Sequence, residues 1–217
     1  MVQAEQQQRA EILERFKCDV AQHEVKILMD NDCYRHIRCS RPESGNYSFS
    51  IATFPGHLVI AGDMGSWTFS RVQDMFKFFR GSSHELGINP SYWAEKLVAV
   101  NKQNGPRVFD EDAAREWLVK SIEEKIGPED NDGGEDDKED AIAEADGILE
   151  DCDSEDCFFL KIRDFSSGGI TFEYEDFDGC DVMAWSGNYL WCLFAIVWAI
   201  GKYDEMKAAP EVGEADE

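Results

Sequence analysis

The chain has 217 residues, 43% of them hydrophobic and 12% aromatic, which is enough for a substantial core. Its 45 acidic residues against 21 Lys and Arg give a formal net charge of −24, which repels phosphate backbones and argues against direct binding of DNA or RNA. The charge is uneven: residues 129–156 hold 15 acids and one Lys, and the tail 204–217 holds six acids and one Lys.

The chain opens without a basic start followed by an apolar run, so no export signal is expected. Residues 4–21 have helical spacing at Ile12, Leu13, Phe16 and Val20. The period then changes. His23–Met29, Cys33–Cys39 and Tyr47–Phe54 are short β-prone runs separated by turn-rich segments. In the last of these, Tyr47, Phe49 and Ile51 alternate with Ser48, Ser50 and Ala52, the pattern of a strand with one buried face.

The next stretch, HLVIAGDMGSWTFSR, sets a His, an Asp, two Gly and two Ser between apolar runs. It predicts a strand at 57–61, a hairpin turn at Gly62-Asp63-Met64-Gly65 and a returning strand at Trp67-Thr68-Phe69. Ser70, with Gln73 three residues on, fits a capping box for a helix carrying Val72, Met75, Phe76 and Phe79, which Gly81 would end. Asn89-Pro90 predicts a capped helix through SYWAEKLVAV, and Asp110 one through EDAAREWLVKSIEEKI.

The acidic stretch 129–156 is expected to be largely solvated and mobile, with a weak helix at 136–149. FFLKIRDF and GITFEYEDF read as strands around the turn Ser166-Ser167-Gly168-Gly169, and Asp181–Trp185 as a third. Asn188 is the expected cap of an almost wholly apolar helix at 189–203, a segment suited to a central position or a subunit interface. Its apolar run of 13 residues is too short to span a bilayer, so no membrane partner is expected. The order of elements points to an α+β fold: N-terminal helix, antiparallel sheet, helical middle, acidic loop, C-terminal strands and a buried aromatic helix. The predicted organisation is one domain over 1–203, with the acidic insertion inside it and a disordered acidic tail at 204–217.

Motifs for chemistry are sparse. Cys33/Cys39 and Cys152/Cys157 have no second pair at zinc spacing, and Asp151, Asp153 and Glu155 lack the Gly and Glu of a calcium loop, so no metal and no cofactor is expected. No nucleotide-binding or hydrolase signature occurs, and no catalytic residue is assigned. His57, Asp63 and Ser66 remain an alternative ligand or enzyme site if the hairpin brings them together. Otherwise they make a strand and a turn. The clustered carboxylates, among them Glu135, Asp136, Asp137, Glu139 and Asp140, have two readings: a solvated linker, or an imitation of a phosphate backbone that occupies a basic nucleic-acid-binding surface on another protein.

Three blocks, HLVIAGDMGSWTFSRVQDMFKFFR, INPSYWAEKLVAV and NYLWCLFAIVWAIGKYD, resemble a family of uncharacterised proteins of temperate phages and prophages of enterobacteria and pseudomonads. The resemblance spans most of residues 11–204. Phe54 stands before Pro55-Gly56 where the family has Trp, and the acidic stretch is not a family feature. The family brings no established activity and no site residues. It implies a phage accessory protein in the host bacterial cytoplasm, a setting in which inhibitors of host defence, such as CRISPR or restriction systems, are common. The expectation is therefore a non-enzymatic inhibitor of a host defence or nucleic-acid-handling complex, with a structural, homo-oligomeric phage protein as a further alternative.

Overall fold

The computed structural model describes residues 2–80, 86–102, 105–126 and 134–209, with side chains from Ala4 and, in the helix that begins at 134, from Lys138. It is α+β, as expected. The chain separates into two compact units, one of residues 1–106 with 185–217 and one of residues 107–184, where the sequence suggested a single domain with an insertion.

The first unit is built on a six-stranded antiparallel meander, β1 (Glu24–Asn31), β2 (Tyr34–Ser40), β3 (Phe49–Phe54), β4 (His57–Gly62), β5 (Gly65–Ser70) and β6 (Leu97–Ala99), each beside its sequence neighbour. Period-two alternation sends Ile37, Cys39, Phe49, Ile51, Leu58, Ile60, Trp67 and Phe69 to one buried face. That face meets α1 (Val2–Val20) and α7 (Gly187–Ala208). Trp191 of α7 lies edge-on to Phe16 at 5.2 Å and to Phe49 at 5.6 Å, and its indole donates to Asp19 at 2.9 Å. Eleven residues of α7 are buried, so the helix is the centre of this unit's own core. The helix runs past the expected end, making Asp204, Glu205 and Lys207 helical. Its N-cap position is Ser186, with Asn188 already inside. Residues 210–217 of the tail lie outside the described residues.

One cap and one helix end differ from expectation here. Ser70 ends β5, donating its amide to Lys96 O, while Arg71 N bonds Gly56 O and Gln73 O accepts from Gly56 N. Residues 71–73 are thus committed to the Pro55-Gly56 turn, and the helix α2 (Met75–Phe79) starts only at Asp74, whose carboxylate accepts from Phe76 N. Gly81 lies outside the described residues. Asn89 caps as expected, accepting from Tyr92 N, but α3 stops at Ala94 (Pro90–Ala94) because the chain is drawn into β6 on the free edge of β5.

In the second unit α4 (Glu111–Ile126) begins at the expected cap, Asp110, which accepts from Ala113 N. Within the acidic stretch the helix expected at 136–149 is present as the slightly longer α5 (Gly134–Glu150), and residues 129–133 lie outside the described residues. Ala114, Leu118 and Ile122 of α4 and Ala141, Ala145 and Leu149 of α5 are buried, each set at intervals of four residues, and the small Ala side chains let the helices approach. FFLKIRDF is helix α6 (Glu155–Arg163), not strand. Ser154 caps it through Cys157 N, acids fill its first turn and bases its last, and Phe158 and Ile162 face the core four residues apart. A two-residue hairpin, β8 (Ser166–Ser167) with β9 (Ile170–Thr171), a 3-10 turn (Tyr174–Phe177) and a ladder of β7 (Arg107–Phe109) with β10 (Met183–Trp185) complete it.

Candidate interaction surface

The hairpin is a real one: Gly62 pairs with Gly65 and Ala61 with Ser66. It does not gather the candidate residues. His57 sits at the far end of β4, paired with Ser70. It is about 13 Å along the strand from the level of Ser66 and about 20 Å from Asp63, at roughly 3.3 Å per residue. Each residue has a local role. The His57 ring stacks on Phe54 at 4.7 Å and its Nδ1 lies 3.2 Å from Pro55 O. Asp63 accepts from Tyr47 N at 2.9 Å and donates its own amide to Ser48 O, holding a loop in which Tyr47 has a positive φ of 57°. Ser66 is exposed at the turn. A nucleophile–base pair needs about 3 Å between its members, so these three do not form one.

The thiols are free. Burial pushes the Cys39 thiol up to about 12, and burial together with neighbouring Cys157 takes Cys152 to about 11, so neither is a ready thiolate. Among the described residues, no group of three or more His, Cys, Asp or Glu is placed to hold a metal ion.

The charge has a clear location. Residues 107–184 contain 27 acids and seven Lys and Arg, a net of −20 out of −24. All seven cations are already ion-paired: Arg107 with Asp181, Arg115 with Asp146, Lys120 with Glu124, Lys125 with Asp176, Lys138 with Glu123, Lys161 with Asp151 and Arg163 with Asp164. The excess is therefore uncompensated within the unit. Two of these pairs, Arg115–Asp146 at 2.6 Å and Lys138–Glu123 at 2.8 Å, join α4 to α5 and fix the direction of the acidic helix.

On α5 the buried Ala141, Ala145 and Leu149 define the inner face, and Glu139, Asp140, Glu144 and Glu150 are exposed. Glu135, Asp136 and Asp137 lie in the first turn of the same helix, and their side chains are outside the described residues. The sequence signal for this arrangement was the run AIAEADGILE, whose apolar positions recur at helical spacing beneath the charge.

No family model, no curated protein and no solved structure matches the chain.

Proposed function

We propose that this protein is a phage or prophage accessory protein that binds and inhibits a host complex that handles nucleic acid, such as a defence effector, and that it acts by offering an acidic surface in place of a nucleic-acid backbone. The observation that carries the reading is the confinement of −20 of the net charge to one compact unit, in which 15 of the 27 acids lie in the helices α4, α5 and α6. Charges fixed on a helix keep their spacing on binding and cost less ordering than charges on a mobile loop. A field of this sign and density steers a basic partner and repels nucleic acid itself. In this reading the protein works in the host cytoplasm. Among the described residues, no helix is long and apolar enough to cross a membrane.

The test is capture of partners from a host bacterial lysate on the immobilised chain, followed by binding kinetics with the purified partner at low and high salt. A variant with Asn or Gln at Glu135, Asp136, Asp137, Glu139 and Asp140 should associate more slowly, with a shallower salt dependence and an unchanged fold. Exposed charges are screened over about 8 Å at physiological ionic strength and contribute little to stability. Nucleic acid should compete for the partner. Unchanged association by the neutralised variant, or a partner with no nucleic-acid-binding surface, would overturn the reading.

A further inference from the structure

The second unit contains a groove of about 1220 Å³ between α6, the β8–β9 hairpin and the 3-10 turn. Phe159, Phe172 and Phe177 contribute apolar surface, with Phe159 and Phe177 edge-on at 5.3 Å. Two apolar side chains on its walls are left in water: Leu160 is 56% exposed and Tyr174 89% exposed. Six of the lining side chains are carboxylates, among them Glu155, Asp156, Glu173 and Glu175, and the one cation, Arg163, is already paired with Asp164.

The wall bearing Tyr174 is fixed in place. Asp176 accepts from Glu173 N at 2.7 Å and from Lys125 Nζ at 2.8 Å, so one carboxylate closes the 3-10 turn and ties it to α4. The Lys125 ammonium and the Glu173 amide hold the Asp176 carboxyl below its ordinary value. The same ammonium lies 5.3 Å from the centroid of Phe172. The unit thus already seats one cation between an aromatic ring and a carboxylate, and the groove wall carries groups of both kinds.

We propose that this groove is the docking site for an arginine- and lysine-rich segment of a partner protein that carries an apolar anchor, a proposal that rests on the reading of the partner as basic. The anchor lies against Leu160, Tyr174 and the phenylalanines, and the flanking cations meet the rim carboxylates. Charge selects this occupant: a second copy of the chain brings another −24 to a rim that is already acidic. Size agrees, since the groove exceeds the roughly 300–1000 Å³ of small-molecule sites and suits a stretch of polypeptide.

The test uses the full-length protein and fluorescence anisotropy with two labelled peptides. One has leucine and tryptophan on one face and arginine on the other; its control has the same arginines with serine in place of the apolar residues. The first should bind on the order of tenfold more tightly, and Leu160→Ser with Tyr174→Ser should remove most of that difference, as loss of a buried anchor does. Both side chains are exposed, so the double variant should melt as the native protein does. Equal binding of the two peptides, or an amphipathic peptide indifferent to the Leu160 and Tyr174 changes but lost on neutralising the α5 acids, would overturn the groove and leave the acidic-surface reading standing. Failure of both peptides to bind at low salt would overturn both. Self-association of the native protein abolished by the groove variant would give the groove to a second copy and overturn the proposal.

Discussion

Asp74 is the side chain whose removal should damage the first unit out of proportion to its size. Its carboxylate accepts from Arg35 Nη1 at 2.8 Å and Nη2 at 3.4 Å while capping α2 through Phe76 N at 3.1 Å. Arg35 is 8% exposed, and in Asp74→Ala its other acidic neighbour is Asp30, 3.9 Å from Nε. The guanidinium also lies over Phe76 at 4.7 Å and Tyr203 at 5.7 Å, contacts that survive. Breaking a buried pair costs about 3–5 kcal/mol, here toward the lower end because of those contacts. Losing the cap adds about 1 kcal/mol. The expected total is about 4 kcal/mol, a large part of the roughly 5–15 kcal/mol available to a folded protein. Asp74→Asn keeps an oxygen for the cap and should lose about 1 kcal/mol less than Asp74→Ala. In Arg35→Met with Asp74→Ala no guanidinium is stranded, and the double variant should be no less stable than Asp74→Ala. Denaturant unfolding followed by tryptophan fluorescence reports this unit, which holds five of the six tryptophans. A cost below about 1 kcal/mol for Asp74→Ala, or single effects that add within about 0.5 kcal/mol in the double variant, would refute the account.

The same network sets an acid limit. Burial raises the Asp74 and Asp30 carboxyls, but Arg35 at both, the Phe76 amide at the first and Tyr203 and Lys207 at the second outweigh it, so both stay below the ordinary 3.8. Their stabilisation is complete above that value and is lost as pH falls through the lower folded values. Thermal melts should therefore show the gap between native protein and Asp74→Asn closing toward pH 2, and a constant gap would contradict this. Trp191→Ala should cost about 3–5 kcal/mol and Trp198→Ala less, because Trp191 is fully enclosed and Trp198 only half-buried; denaturant midpoints in the reverse order would count against the packing described. Gly62→Ala places a methyl 2.2 Å from Ser48 O and 2.6 Å from Phe49 Cα, forcing β3 to move at about 1–3 kcal/mol, whereas Gly45→Ala meets nothing within 4 Å; equal melting temperatures for the two would show that β3 yields freely.

The features legible in the sequence were those set by neighbours along the chain. The alternation in YSFSIATF fixes which face of β3 is buried, and two glycines around Asp63-Met64 fix the hairpin and its register. Asn89 and Asp110 cap their helices because a cap is a bond between residues three apart. The near-absence of polar residues from 189 to 200 marked α7 as a helix to be covered, in the core or at an interface, and its burial places it in the core.

What depended on distant partners was decided only in three dimensions. Ser70 had the right cap chemistry and lost its place because residues 71–73 bind the turn at Gly56. FFLKIRDF has the composition of a strand, yet Phe158 and Ile162 find the core of α4 and α5 only as a helix. Arg35 and Asp74 are 39 residues apart, and nothing local pairs them. The acidic stretch is the sharpest case. Its charge predicts solvation, and taken alone its helix is weak. Burial of Ala141, Ala145 and Leu149 against α4 supplies the tertiary term that propensity lacks and holds Glu139, Asp140, Glu144 and Glu150 on one packed helix.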